Sequence, residues 1–213
     1  MKNTTLFEEK REEPMHWFAM SAPFRREIKV KEMLEKEKME CFIPMRQDIR
    51  TVKGKKEVVS VPAVSNLIFV HTTDSRLKWF KTYTTYLQYL TWTIDGISHK
   101  IIIPDYQMNQ FMAVCNTHDK KLIFLKPDEV NLSKGVHVRI HGGTFDNVEG
   151  IFVKVKGARS KRVVVLLPNT MAVATAEVHP DLLEILSDPE PRLNHVRPSN
   201  EEKCNLNMIQ IRL

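Results

Sequence analysis

No run in this 213-residue chain approaches the roughly 18 consecutive apolar residues of a membrane-spanning helix, so no membrane passage is expected. Cysteine is scarce. Cys41, Cys115 and Cys204 are odd in number and far apart, which argues against a disulfide framework and for a reducing, cytoplasmic setting. The opening MKNTTLFEEKREEP lacks an apolar core and is rich in glutamate, so it does not read as a secretory signal. Catalytic signatures are missing too: there is no Gly-x-Ser-x-Gly elbow, no Walker loop and no dinucleotide glycine pattern. Cys-x-x-Cys and His-Glu-x-x-His are absent, which leaves His137 and His141 as metal ligands. On a strand these stand about 13 Å apart, at roughly 3.3 Å per residue, too far for one zinc ion. Neither an enzyme nor a cofactor nor a metal is therefore expected. What remains is an ordinary globular composition, 42% hydrophobic, with a net charge of +6 and a pI of about 9.2. That balance leans toward a polyanionic partner.

The most informative stretch is Val136–Gly157, VHVRIHGGTFDNVEGIFVKVKG. Val136, Val138 and Ile140 alternate with His137, Arg139 and His141, the period of a half-buried strand. Gly142-Gly143 supplies a turn, and Ile151, Val153 and Val155 alternate again after Gly150. The segment resembles the KOW motif of small β-barrels in transcription elongation factors and some ribosomal proteins. The resemblance implies a docking module that performs no covalent chemistry.

Upstream, His16–Met20 has strand character, and a helix is expected over Phe24–Met39, amphipathic on Val30, Met33 and Leu34. Cys41–Met45 reads as a strand with an edge or bulge at Pro44, and Cys41 as core rather than nucleophile. Arg50–Val61 reads as a hairpin turning at Lys53-Gly54-Lys55, whose lysines, with Lys56, make a solubilising tip. Asn66–His71 suits a central strand. Asp74 is expected to cap a helix over Ser75–Tyr83, and strands follow over Tyr86–Ile94 and Ile101–Ile103. Pro104 is expected to open a helix ending near Cys115.

Together these pieces resemble the NusG family of transcription elongation factors, an NGN domain tethered to a KOW barrel. Trp17-Phe18 matches a Trp-Tyr pair, and Val30–Lys36 resembles V-K-E-x-L-E-K. Cys41–Met45 resembles C-[LF]-x-P-M, Lys53–Lys56 a basic R-G-K-R tip, and Asn66–Val70 the strand P-[GN]-Y-[VL]-F-V. Val138–Gly150 resembles V-R-[VI]-x-x-G-x-F-x-x-x-x-G. Spacing from Trp17 to Val70 is similar to that of the specialised RfaH and UpxY paralogues. Val64-Ser65 and Leu67 depart from the family's Phe-Pro and Tyr, and Thr144 and Asn147 from a Pro and a Gly.

The resemblance implies an α+β chain: an NGN-type antiparallel sheet with flanking helices, then a small KOW (SH3-like) β-barrel. The expected divisions are a flexible lead-in over 1–14, the NGN-like domain over 15–115, a linker over 116–132 with a little structure at Leu122–Leu125, the barrel over 133–186 and a disordered tail over 187–213. RNA polymerase would be gripped by an apolar patch of Val64, Leu67 and Phe69. The non-template DNA strand would meet the basic first helical turn, Arg25, Arg26 and Lys29. Ribosomal protein S10 or a termination factor would meet the KOW loop Leu167, Pro168, Asn169, Thr170 and Met171. Among Trp79, Phe80, Tyr83, Tyr86 and Tyr89, one or two are expected to offer an aromatic face to nucleic acid or to a polymerase helix. The implied function is elongation or antitermination by a cytoplasmic monomer, at particular operons such as surface-polysaccharide loci. The alternative is a ribosome-associated or RNA-binding KOW protein. At rest the KOW segment is expected to be β, not helical, with the polymerase patch exposed and the linker mobile.

Overall fold

The computed structural model describes residues 13–52, 55–126, 129 and 131–186. The expected lead-in up to residue 12, the hairpin tip at Lys53-Gly54 and the expected tail 187–213 lie outside the described residues.

The first half contains β1 (His16–Ser21), α1 (Glu27–Lys36), β2 (Glu40–Phe42), β3 (Met45–Val52), β4 (Lys55–Pro62) and β5 (Leu67–Thr72). It continues with α2 (Asp74–Tyr83), β6 (Gln88–Tyr89), β7 (Thr91–Ile94), β8 (Ile97–Lys100), β9 (Ile102–Ile103) and α3 (Asp105–Cys115). The second half is β10 (Ile123–Leu125), β11 (Val136–Ile140), β12 (Glu149–Lys154), β13 (Lys161–Leu167), β14 (Met171–Ala174) and β15 (Leu183–Ile185).

An antiparallel sheet runs β2-β5-β1-β6, with β9 also on β1. Ala19 sits opposite Phe69, and Phe18 opposite Val70. Successive side chains point to opposite faces, so two cores form. Phe18, Met20, Ile68 and Val70 pack under α1 and α2 through Val30, Leu34, Leu77 and Phe80. Trp17, Ala19, Leu67 and Phe69 pack under α3 through Met108, Phe111 and Val114. Coverage on both faces explains why β1 and β5 read as continuous apolar runs.

A six-stranded sheet follows, ordered β10-β14-β13-β12-β11-β15. The strands meet the β expectation over Arg139–Leu166, but the path is open rather than a closed barrel. β10 and β15, three residues each, pair with β14 and β11 and not with one another. Val163, Val165 and Leu167 of β13 share a core with α3, whereas Val164 joins Leu125, Val153 and Val155 on the other face. Gly150 is required where β12 crosses β13, since a Cβ there would lie 2.6 Å from the Val164 carbonyl oxygen.

Several boundaries differ from expectation. The first helix covers Glu27–Lys36, not Phe24–Met39, because Phe24 (φ 65) and Arg25 (φ 55) are left-handed and cannot continue a right-handed helix. The Arg25 amide donates to Asn66 Oδ1 at 2.8 Å, and the Ala22 amide to the Asn66 carbonyl at 2.7 Å, fixing this turn to the start of β5. The helix ends in a Schellman motif: Met39 N donates to Leu34 O and Lys38 N to Glu35 O, with Lys38 at φ 53. The second helix is capped by Thr73, whose hydroxyl accepts from Arg76 N; Asp74 is its first residue. The strand expected over Cys41–Met45 breaks at Ile43-Pro44. β3 and β4 form a long ribbon, register-closed with Val52 opposite Lys55, and Ile49 and Val58 are exposed upon it. Thr91–Lys100 forms a second hairpin, not expected from sequence, turning at Asp95-Gly96, both at positive φ.

Candidate functional site

The basic residues Arg25, Arg26 and Lys29 come together on one exposed surface, but not as a helical turn. Arg25 and Arg26 occupy the strained turn before α1, and Lys29 its first turn. Glu27, the acid nearest in sequence, points inward, 3% exposed, so it leaves the outer face positive. No ion pair between described residues engages any of the three. Phe24 projects beside them, 82% exposed. The Arg26 guanidinium lies 5.6 Å from the Phe24 ring centroid and 4.8 Å from that of Tyr86.

The Tyr86 hydroxyl reaches the Met33 sulfur at 3.0 Å, and Met33 forms one wall of a groove between α1 and α2. Trp79, Phe80, Tyr83 and Thr84 form its other side, with Lys36 and Glu37 of opposite charge also lining it, around a cavity of about 320 Å³. Trp79 is 49% and Tyr83 74% exposed, their rings edge-on with centroids 5.5 Å apart. Further along α2, Asp74 pairs with Lys78 at 2.6 Å and with Lys100 of β8. These hydrogen bonds, Lys100's first, hold the Asp74 carboxyl below its ordinary pKa. Lys81 and Lys100 lie 3.9 and 4.3 Å from the Tyr89 ring centroid. Burial, then the Asp74 charge, pushes the Tyr89 hydroxyl up to about 12.

The apolar trio is not a surface. Val64 is exposed in the loop before β5, but Leu67 (4%) and Phe69 (0%) are buried, Phe69 with its ring 6.1 Å from Phe111 of α3. The expected exposed patch is corrected accordingly: an inner strand with helices on both faces has no solvent side. The loop Leu167–Met171 divides in the same way. Leu167 and Met171 face each other across the ladder and are buried, while Pro168, Asn169 (φ 54) and Thr170 form the reachable turn.

A junction that the sequence did not reveal joins α3 to the second sheet. The Glu149 amide donates to Gln110 Oε1 at 2.9 Å, and its carboxylate accepts from the Tyr106 hydroxyl and from Arg139 Nη2 at 2.6 Å. Burial alone would raise the Glu149 carboxyl, but the Tyr106 and Arg139 hydrogen bonds outweigh it and lower its pKa. The pairing partner of a strand residue on another element leaves no periodic trace, so no motif could have found it. Among the described residues no group of three His, Cys, Asp or Glu could hold a metal ion, and no helix is long and apolar enough to cross a membrane.

These features define a helix-flanked antiparallel α+β domain, joined through its last helix to an all-β sheet. Residues 15–112 match the NusG family model, described as "Transcription termination factor nusG". A solved structure from Thermotoga maritima, described as "Domain interaction in Thermotoga maritima NusG", is similar at 18% identity and a TM-score of 0.41, covering 82% of this chain and 98% of that one. No curated protein matches the chain.

Proposed function

We propose that this chain is a non-enzymatic transcription elongation or antitermination factor that binds RNA polymerase through residues 15–115. The observation that carries this reading is the NusG-type match over residues 15–112, on a domain whose outer face offers a basic and aromatic surface. Arg25, Arg26 and Lys29, in no ion pair among the described residues, meet phosphates of the exposed non-template DNA strand, because cations on an outer turn release counterions when they neutralise phosphates. Polymerase contact includes the exposed Val64, with Leu67 and Phe69 shaping the sheet beneath. The second sheet, with the linker and barrel-like segment expected over 116–186, recruits another protein through Pro168–Thr170; ribosomal protein S10 and a termination factor both suit this role. RfaH- and UpxY-like spacing favours action at particular operons. Bridging the polymerase stabilises its processive form only through tighter binding to that form than to the open one. The test is capture of purified RNA polymerase by the full chain. Retention that survives nuclease treatment is expected. No retention, with tight binding to structured RNA instead, would overturn the proposal in favour of an RNA-binding role.

A further inference from the structure

We propose that Met208–Leu213, MIQIRL, adds to the free edge of β15 as a further strand of the second sheet, antiparallel, with Leu213 opposite Leu183, Arg212 opposite Glu184 and Ile211 opposite Ile185. β15 ends an open path and pairs with β11 on one side only. Leu186 N donates to His137 O, so the amide of Ile185, pointing the other way, faces the free edge. The side chains are as incomplete as the backbone. Leu183 and Ile185 stand opposite Ile140 and Val138 and share their face, the one that carries the core. Yet Ile185 is 72% exposed, and Val136, two residues before Val138 on that face, is 43% exposed. On the other face, Glu184 Oε2 lies 3.4 Å from Arg139 Nη1 and 2.7 Å from His141 Nε2, while its Oε1 has no partner among the described residues.

The segment matches this edge in pattern and in charge. Ile209, Ile211 and Leu213 fall on one face of a strand, and Gln210 and Arg212 on the other. In the register given, apolar residues meet across the core face, and Arg212 meets Glu184 across the outer one. Such cross-strand pairs are the unit of sheet stabilisation. Among the described edge strands only β15 sets an acid between two apolar residues, whereas β7, β8 and β10 hold no acid at all. Pro189, Pro191 and Pro198 lie between the two partners and cannot donate to a ladder, so pairing resumes only beyond them. Residues 186–210 make the connection, and the closure cost of such a loop grows slowly with its length. With the segment seated, the edge is closed to strands of other chains.

The experiment is residue-resolved hydrogen exchange on the full chain and on a variant ending at Asn207. The Ile185 amide should exchange about ten-fold or more slowly in the full chain, the protection given by a segment docked for about nine-tenths of the time or more. The His141 amide, which bonds Leu182 O inside the sheet, should stay protected in both and reports folding. Arg212→Glu should release Ile185 to the rate of the shortened variant, and Arg212→Lys should keep most of the protection. Arg197→Glu, the same charge change within the connection, should leave it intact. An unprotected Ile185 in the full chain overturns the proposal, as does a shortening that alters exchange at β8 or β10 instead. Protection that survives Arg212→Glu overturns the register and its charge pair. Protection that falls on dilution, with a dimer in sedimentation, would give the edge to the segment of a second copy and overturn docking within one chain.

Discussion

Leu67 is the residue at which an interface and a core are most easily confused. It is aliphatic, lies in a family-like motif and follows a loop, yet it sits between two elements with 4% of its surface open. Leu67→Asp should therefore lower stability by more than about 3 kcal/mol, because it removes core contacts and buries an unpaired charge. Urea unfolding checks this. Val64→Asp, on the open loop, should stay within about 1 kcal/mol of the parent and act instead on polymerase affinity. Equal unfolding midpoints for the two variants would show that Leu67 is not core. Gly150 makes the opposite point, since the smallest side chain is demanded by a backbone oxygen 2.6 Å from where a Cβ would stand. Gly150→Ala should cost roughly 1–3 kcal/mol through overpacking between β12 and β13, and the same unfolding assay reads it.

Helix ends carry the next set of consequences. Lys38 holds the left-handed position of the α1 terminus, where a side chain is strained and glycine is not. Lys38→Gly should stabilise the protein by roughly 0.5–1 kcal/mol, visible as a raised melting temperature; a loss would mean that the Lys38 side chain contributes more than its backbone strain costs. Thr73→Ala should cost about 1 kcal/mol as a lost cap, whereas Asp74→Ala should act through Lys78 and Lys100. At this scale the sequence is informative wherever period and local chemistry coincide. β1, β5, α2, α3, β11 and β13 are legible because alternation, apolar runs and Pro104 mark them. The start of α1 is not legible, because the amphipathic pattern continues through Phe24 while a hydrogen bond to Asn66, 41 residues away, decides the backbone. The β7–β8 hairpin is not expected from sequence despite the turn dipeptide Asp95-Gly96, because its strands lack an apolar run. For the site, the cluster of Arg25, Arg26 and Lys29 is visible in the sequence, but the left-handed backbone that takes Arg25 out of the helix is not. The burial of Leu67, Phe69, Leu167 and Met171 is not visible either, because exposure depends on what packs from distant sequence.

For the whole molecule the decisive feature is the junction between α3 and the second sheet, centred on Glu149. Its carboxyl pKa is depressed in the folded state, so its contribution is fully present above the unfolded value of about 4.3 and is lost as pH falls through the lower folded value. Amide exchange over α3 and β11–β12 should accelerate in that acidic window, and Glu149→Gln should remove much of the pH dependence. Exchange that is equally pH-dependent in the variant would assign the effect to other carboxyls. The expected linker, read with a little structure at Leu122–Leu125, supplies β10 there, which hydrogen-bonds along β14. Only residues 116–122 then lie between the end of α3 and the second sheet. Fully drawn out, such a leash spans roughly 25 Å. Even with the junction parted, two bodies gripped by the two halves would stay within a short radius. At that range a second encounter becomes an intramolecular event, at an effective concentration set by the leash rather than by the cell.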